Sequence, residues 1–144
     1  MFDDERVLVT GGASFIGSHL VEDLVERGAD VRVADDFSSG TRENLSAVAE
    51  EIEVVAGGLK RRSIADEATE GIDRLFHLAA EHGGRGYIAN YPANCATNMA
   101  LDDVVFESTV KTGREDHVRL KRLCLPNGHL RGASATLRGY GKFR

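Results

Sequence analysis

Short apolar runs alternate with amphipathic stretches along most of this chain. Arg6 to Thr10, RVLVT, is a β-branched apolar run ending in glycines, the pattern of a strand buried on both faces. A helical period then takes over. Ile16, Leu20 and Leu24 recur every fourth residue, Val21 and Val25 widen the stripe, and Gly28 stands where a helix would end. DVRVAD predicts a second strand, and TRENLSAVAEE a helix with Thr41 as its N-cap and Asn44 in its first turn. IEVVAG predicts a third strand, SIADEATEG a short helix closed by Gly71, and RLFHLAA a fourth strand. From about Pro92 to Lys111 the chain reads as a longer helix with Leu101, Val104 and Val105 on its apolar face. Strands alternating with helices in this way predict an α/β fold with a parallel, doubly wound sheet.

Near residue 114 the pattern stops. KTGREDHVRLKRLCLPNGHLRG carries no sustained period, and the charge balance reverses at the same place. Residues 1–113 hold 10 Lys and Arg against 21 Asp and Glu, while residues 114–144 hold 8 against 2. The chain therefore divides into an ordered acidic part, 1–113, and an irregular basic tail, 114–144. The tail has neither aromatic interleaving nor helical period, so no nucleic-acid partner is expected. A composition 42% hydrophobic and 28% charged over 144 residues fits one soluble globular domain. No apolar run is long enough to cross a bilayer, and the acidic start MFDDERVLVT enters a strand at once, unlike a signal peptide. Cys95 and Cys124 form no CxxC pair. These features predict a reduced, cytoplasmic protein with no membrane partner.

TGGASFIG joins the first strand to the first helix. A tight glycine turn at such a junction aims free backbone N–H groups and the positive end of the helix dipole at one point, where a phosphate or pyrophosphate can sit. Asp35 ends the second strand, near the spacing at which a carboxylate accepts hydrogen bonds from ribose hydroxyls. A carboxylate there repels a 2′-phosphate, so the preferred dinucleotide is NAD rather than NADP. The remaining titratable residues read as ordinary structure. His77 and His82 straddle a strand end and a glycine loop with no further ligand at metal spacing. His19 lies along the first helix as a surface or partly packed residue, and the pair Asp102–Asp103 reads as a solvated helix face.

TGGASFIGSHL, DDFSSG and HLAA resemble the extended short-chain dehydrogenase/reductases of the NAD-dependent epimerase/dehydratase family, enzymes of nucleotide sugars. The resemblance runs from residue 5 to about 113. It implies a Rossmann-type sheet, here incomplete, with about four strands in the order 3-2-1-4. The family's G-x-x-G-x-x-G loop falls on Gly11, Ser14 and Gly17, with Phe15 and Ile16 inside it. Its ribose-binding Asp and S-S-G turn fall on Asp35, Asp36, Ser38, Ser39 and Gly40. The resemblance also places Leu59 beside the cofactor, and H-x-A-A lays Leu78, Ala79 and Ala80 along the nicotinamide side. EHGGRGYI is similar to a glycine-rich segment of GDP-mannose 3,5-epimerases, which implies Gly84 near a nucleotide-sugar substrate. Asn98 aligns with a helical Asn that supports the active site in relatives, although a lone Asn there equally fits a solvent-facing position.

Three departures from the family pattern matter. Ser14 replaces the middle glycine, where a Cβ costs some close approach although the hydroxyl can donate to a phosphate oxygen. Gly58 replaces an Asp that holds the adenine amino group. Both predict weakened NAD binding. The family's catalytic Ser and Tyr-x-x-x-Lys have no counterpart, because Tyr87, Tyr91 and Tyr140 are followed four residues on by Tyr91, Cys95 and Arg144. Val118 to Asn127 is compatible, one base out of frame, with F-V-S-S-A-C-V-Y-P, the stretch the family carries there. The tail from about Gly113 to Val118 onward is therefore expected to be out-of-frame translation. No fifth strand is recognisable, which would leave the fourth as an exposed sheet edge open to homo-oligomeric association. The chain reads as the NAD-binding portion of a nucleotide-sugar epimerase or dehydratase, truncated and inactive alone. The alternative is a non-catalytic NAD-binding sensor or subunit.

Overall fold

The structure is a computed structural model that describes Phe2, residues 5–81, Asn90, residues 92–111, and the pairs 119–120 and 135–136. Four strands, β1 (Arg6–Thr10), β2 (Asp30–Asp35), β3 (Ile52–Ala56) and β4 (Arg74–His77), form one sheet in the order β3-β2-β1-β4. All three pairings are parallel, and Val9 at the centre stands between Val33 and Phe76. The expected topology is present.

Helices on both sides explain why β1 carries no polar alternation. Val7 and Val9 join Val21 and Leu24 of α1 (Phe15–Glu26) in one core cluster. Leu8 points the other way, into a cluster with Ala65 and Ala68 of α2 (Arg62–Thr69) and Leu101 and Val105 of α3 (Pro92–Lys111). A strand buried on both faces reads as a near-continuous apolar run, as Val7 to Val9 do here. Helix α1 closes as its sequence predicts: Gly28 takes φ +82°, and the amides of Gly28 and Ala29 return to the carbonyls of Val25 and Leu24. Ile16 departs from the expected stripe and is 57% exposed. It lies in the first turn, where the helix has only just left the end of β1, so its side chain has no sheet beneath it.

The segment after β2 is a 3-10 helix, Arg42–Val48, and Thr41 makes no side-chain cap bond. Its placement is decided by the glycine turn instead. The Thr41 amide and the Asn44 side-chain amide both donate to the Ala13 carbonyl, at 3.2 and 2.8 Å. An unexpected arginine sits in the middle of β2. Arg32 is buried, and its Nη1 donates to the carbonyls of Glu67, Ala68 and Glu70 while Nε pairs with Glu53. A cation there satisfies the carbonyls left open at the end of α2 and opposes the negative end of its dipole.

In the tail, β5 (Arg119–Leu120) pairs antiparallel with β6 (Ala135–Thr136), a short ladder that the sequence did not announce. Among the described residues β4 pairs only with β1. No described helix is long and apolar enough to cross a membrane.

Candidate functional site

The chain leaves β1 at Thr10 and turns at Gly11, whose φ of +70° favours glycine. The turn is also too close-packed for side chains. A Cβ on Gly11 would lie 2.8 Å from the Ala79 amide nitrogen, and one on Gly17 would lie 2.2 Å from the Gly11 carbonyl oxygen. Ser14 caps α1: its hydroxyl accepts from the Gly17 amide at 3.2 Å and donates to the Gly11 carbonyl at 2.7 Å. The hydroxyl proton is thus committed inside the loop. This corrects the expectation that it would donate to a phosphate. Phe15 and Ile16 supply the first two amides of α1, which have no acceptor within the helix. Their side chains, 76% and 57% exposed, stand clear of the core.

Asp35 closes β2 beside this turn and is 8% exposed. Oδ2 accepts from the Ala13 amide at 2.9 Å, and Oδ1 accepts from the Phe37 amide at 2.8 Å. The carboxylate therefore braces the glycine turn, and each oxygen keeps a further lone pair for a ligand hydroxyl. Asp36 is exposed, and hydrogen bonding from Ser38 holds its carboxyl below the usual carboxylate range, with Lys60 assisting by charge. Ser39 faces the same cleft as Asp35 and Asp36. Gly40 does not face it; a Cβ there would lie 2.6 Å from the Ala13 carbonyl carbon, so this glycine serves close packing under the loop.

The cleft has a volume of about 240 Å³. Gly11 and Ser14 form one side, Leu59 and Lys60 another, and Leu78, Ala79 and Ala80 the wall beyond β4. A Cβ on Gly58 would meet nothing within 4 Å, so this position has room for a side chain that the sequence does not provide. Thr10 holds the β4 wall: its hydroxyl oxygen accepts from the amides of Leu78 and Ala79 at 3.1 and 3.2 Å. Gly84, the expected substrate residue, lies outside the described residues, as do His82, Tyr87 and Tyr91.

One expectation for α3 is corrected and one open alternative is decided. Asp102 is not on a solvated face; it pairs with the buried Nε2 of His77 at 3.1 Å. Asn98 is buried and clamps Glu81, accepting from its amide at 2.7 Å and donating to its carbonyl at 2.9 Å. Neither partnership has a local sequence signal, because each joins α3 to the end of a strand 17 or 25 residues earlier. Thr10 was hidden for the same reason.

This arrangement agrees with what the chain is similar to. The model of the NAD dependent epimerase/dehydratase family matches residues 7–121, and the chain belongs to that family. UDP-glucuronic acid decarboxylase 1 of Arabidopsis thaliana is 35% identical over 94 residues, 65% of this chain and 21% of that protein. An epimerase structure from Methanothermobacter thermautotrophicus superposes with a TM-score of 0.70 at 32% identity, covering 78% of this chain and 33% of that one. DesIV, a dTDP-glucose 4,6-dehydratase from Streptomyces venezuelae with NAD bound, gives a TM-score of 0.68 at 31% identity, covering 75% of this chain and 36% of that one. The chain thus spans about a fifth of the curated relative and about a third of the solved ones.

Proposed function

We propose that this chain is the NAD-binding portion of a nucleotide-sugar epimerase or dehydratase. The buried Asp35 carboxylate carries the reading: it is tied to the glycine turn at Ala13 and faces the cleft with lone pairs to spare. The adenosine ribose then rests on Asp35, with Asp36 and Ser39 beside it. The pyrophosphate lies over Gly11 and Ser14, before the amides of Phe15 and Ile16, because the helix dipole and the unpaired N–H groups both favour an anion there. Leu59 packs on the adenosine half, and Leu78, Ala79 and Ala80 flank the nicotinamide half. Gly17 and Gly40 act indirectly by letting the backbone close up. When bound, NAD supplies reversible acceptance of a hydride from a sugar C–H bond.

No catalytic acid or base is assigned to this chain, since its sequence has no Tyr-x-x-x-Lys. We therefore expect cofactor binding without turnover of a nucleotide sugar. The same absence favours the second reading, a non-catalytic NAD-binding sensor or subunit. Calorimetric titration with NAD and NADP tests the shared claim. NAD is expected to bind, and NADP at least about tenfold more weakly, because its 2′-phosphate meets Asp35 and Asp36. Equal affinity for the two refutes the role given to Asp35, and no binding of either refutes the cofactor reading. DNA sequence through the codons for Lys111 to Arg144 separates the two readings: a second frame continuing into S-S-A-C-V-Y-P and Tyr-x-x-x-Lys identifies an interrupted epimerase.

A further inference from the structure

The β4 wall of the cleft is held by a chain of side chains that ends on another element. Thr10 Oγ1 accepts from the Ala79 amide and shares the Leu78 amide with the Thr10 backbone carbonyl, so both of its lone pairs are engaged. Its single proton is then left for His77 Nδ1, 2.6 Å away. With Nδ1 an acceptor, the neutral ring carries its proton on Nε2, which donates to Asp102 Oδ1 at 3.1 Å. The hydrogen bonds thus run in one direction, from the wall amides through Thr10 and His77 to a carboxylate on α3. His77 is 1% exposed, and the Phe106 ring, one turn along α3 from Asp102, packs edge-to-face against it with centroids 5.7 Å apart. Water has little access to compete for these bonds.

The wall has no slack. A single added Cβ on Gly11 would lie 2.8 Å from the Ala79 nitrogen, so the wall and the glycine turn are already in close contact. One turn before Asp102, Asn98 grips both backbone groups of Glu81. Helix α3 therefore fastens the segment 77–81 at both ends, while none of the four side chains Thr10, His77, Asn98 and Asp102 lines the cleft.

We propose that Asp102, acting through His77 and Thr10, is a positioning residue for the dinucleotide cleft, holding the Leu78–Ala80 wall at its contact distance from the glycine turn. This rests on the cofactor reading above. Its consequence is that dinucleotide affinity is set partly from α3, by a carboxylate that does not line the cleft.

The test uses the full ¹⁵N-labelled chain and its variants Asp102→Ala and Asp102→Asn. Long-range ¹H–¹⁵N spectra of the wild type should show His77 protonated on Nε2. In Asp102→Ala, amide exchange at Ala79 should accelerate at least about tenfold relative to Val33 on β2, and the NAD dissociation constant should rise by roughly tenfold. Asp102→Asn, whose amide oxygen accepts the same N–H, should restore both to within about threefold. Taking Ala79 relative to Val33 removes any general loss of stability. Thr10→Val gives a second route, removing the hydroxyl at nearly constant volume with the same expected rise at Ala79. A His77 proton on Nδ1, or Asp102→Ala with Ala79 exchange unchanged relative to Val33, overturns the proposal. So does a loss that Asp102→Asn does not restore. Failure of the wild type to bind NAD overturns the cofactor reading instead, and Ala79 exchange still decides whether Asp102 positions the wall.

Discussion

Replacing Gly17 by alanine puts the glycine turn under its most direct stress. The new Cβ falls 2.2 Å from the Gly11 carbonyl oxygen and 2.7 Å from the Gly12 Cα. Both are backbone atoms, so no rotamer change can relieve the overlap. Ordinary contact begins at 3.4 Å, and the oxygen must retreat by roughly 1 Å. That oxygen accepts from the Ser14 amide at 3.2 Å and from the Ser14 hydroxyl at 2.7 Å, and both bonds are lost when it moves. At about 1 kcal/mol net for each bond and about 1–2 kcal/mol for the displaced turn, the expected loss is about 3 kcal/mol. For a domain of this size that lowers Tm by roughly 12 °C. NAD affinity should fall more than about tenfold as well, because the Gly11 backbone moves out of register with the α1 amides. Thermal unfolding followed by circular dichroism and NAD titration by calorimetry read the two effects. Gly58→Ala is the matched control for stability, since its Cβ meets no protein atom within 4 Å, and Tm should stay near wild type. A Gly17→Ala protein that melts within about 3 °C of wild type and binds NAD within about twofold would refute the close-approach argument.

Other perturbations probe separate parts of the molecule. Arg32→Met should cost about 3 kcal/mol in urea unfolding, because the carbonyls of Glu67, Ala68 and Glu70 lose their shared donor at the end of α2. Asp35→Asn turns one side-chain position into a donor facing the amide of Ala13 or Phe37; NAD affinity should fall about tenfold and the preference over NADP should shrink, as paired titrations would show. Asn98→Ala frees both backbone groups of Glu81 and should expose that amide to exchange without changing the pairing of β1 with β2. Asp36 has a lowered folded pKa, so its contribution to stability is present above about pH 4 and is lost as pH falls through the folded value. Asp36→Asn should accordingly flatten the acid limb of the stability profile below about pH 4, measured by urea unfolding across pH.

How much of the site was legible in the sequence depended on how local each signal was. Gly11 and Gly17 were readable because a strand end, a turn and a helix start follow one another directly, and Asp35 because it ends the next strand at the spacing a ribose-binding carboxylate takes. Gly40 was read as a ligand contact, but its closeness to Ala13 depends on a fold-back of the chain that no local pattern encodes. Ser14 was read as a phosphate donor because a hydroxyl's direction is not a sequence property; its proton goes to the Gly11 carbonyl, three residues back. The segment after β2 was read as a helix capped by Thr41. Two donors to the single Ala13 carbonyl draw its start in and leave a 3-10 turn.

The parallel sheet and the two-sided burial of β1 followed from the sequence pattern, since parallel strands covered by helices demand unbroken apolar runs, while the strand order came with the family resemblance. The cleft's outline followed too, as the place where a glycine turn and a strand-end carboxylate must meet. Only the tertiary structure decided the partners of the buried polar groups. Arg32 finds three carbonyls of α2, His77 finds Thr10 and Asp102, and Asn98 finds Glu81. Hydrophobic burial is non-directional and can be read from periodicity, whereas a buried donor needs one acceptor at one distance and angle. Which acceptor arrives there is settled when distant segments pack.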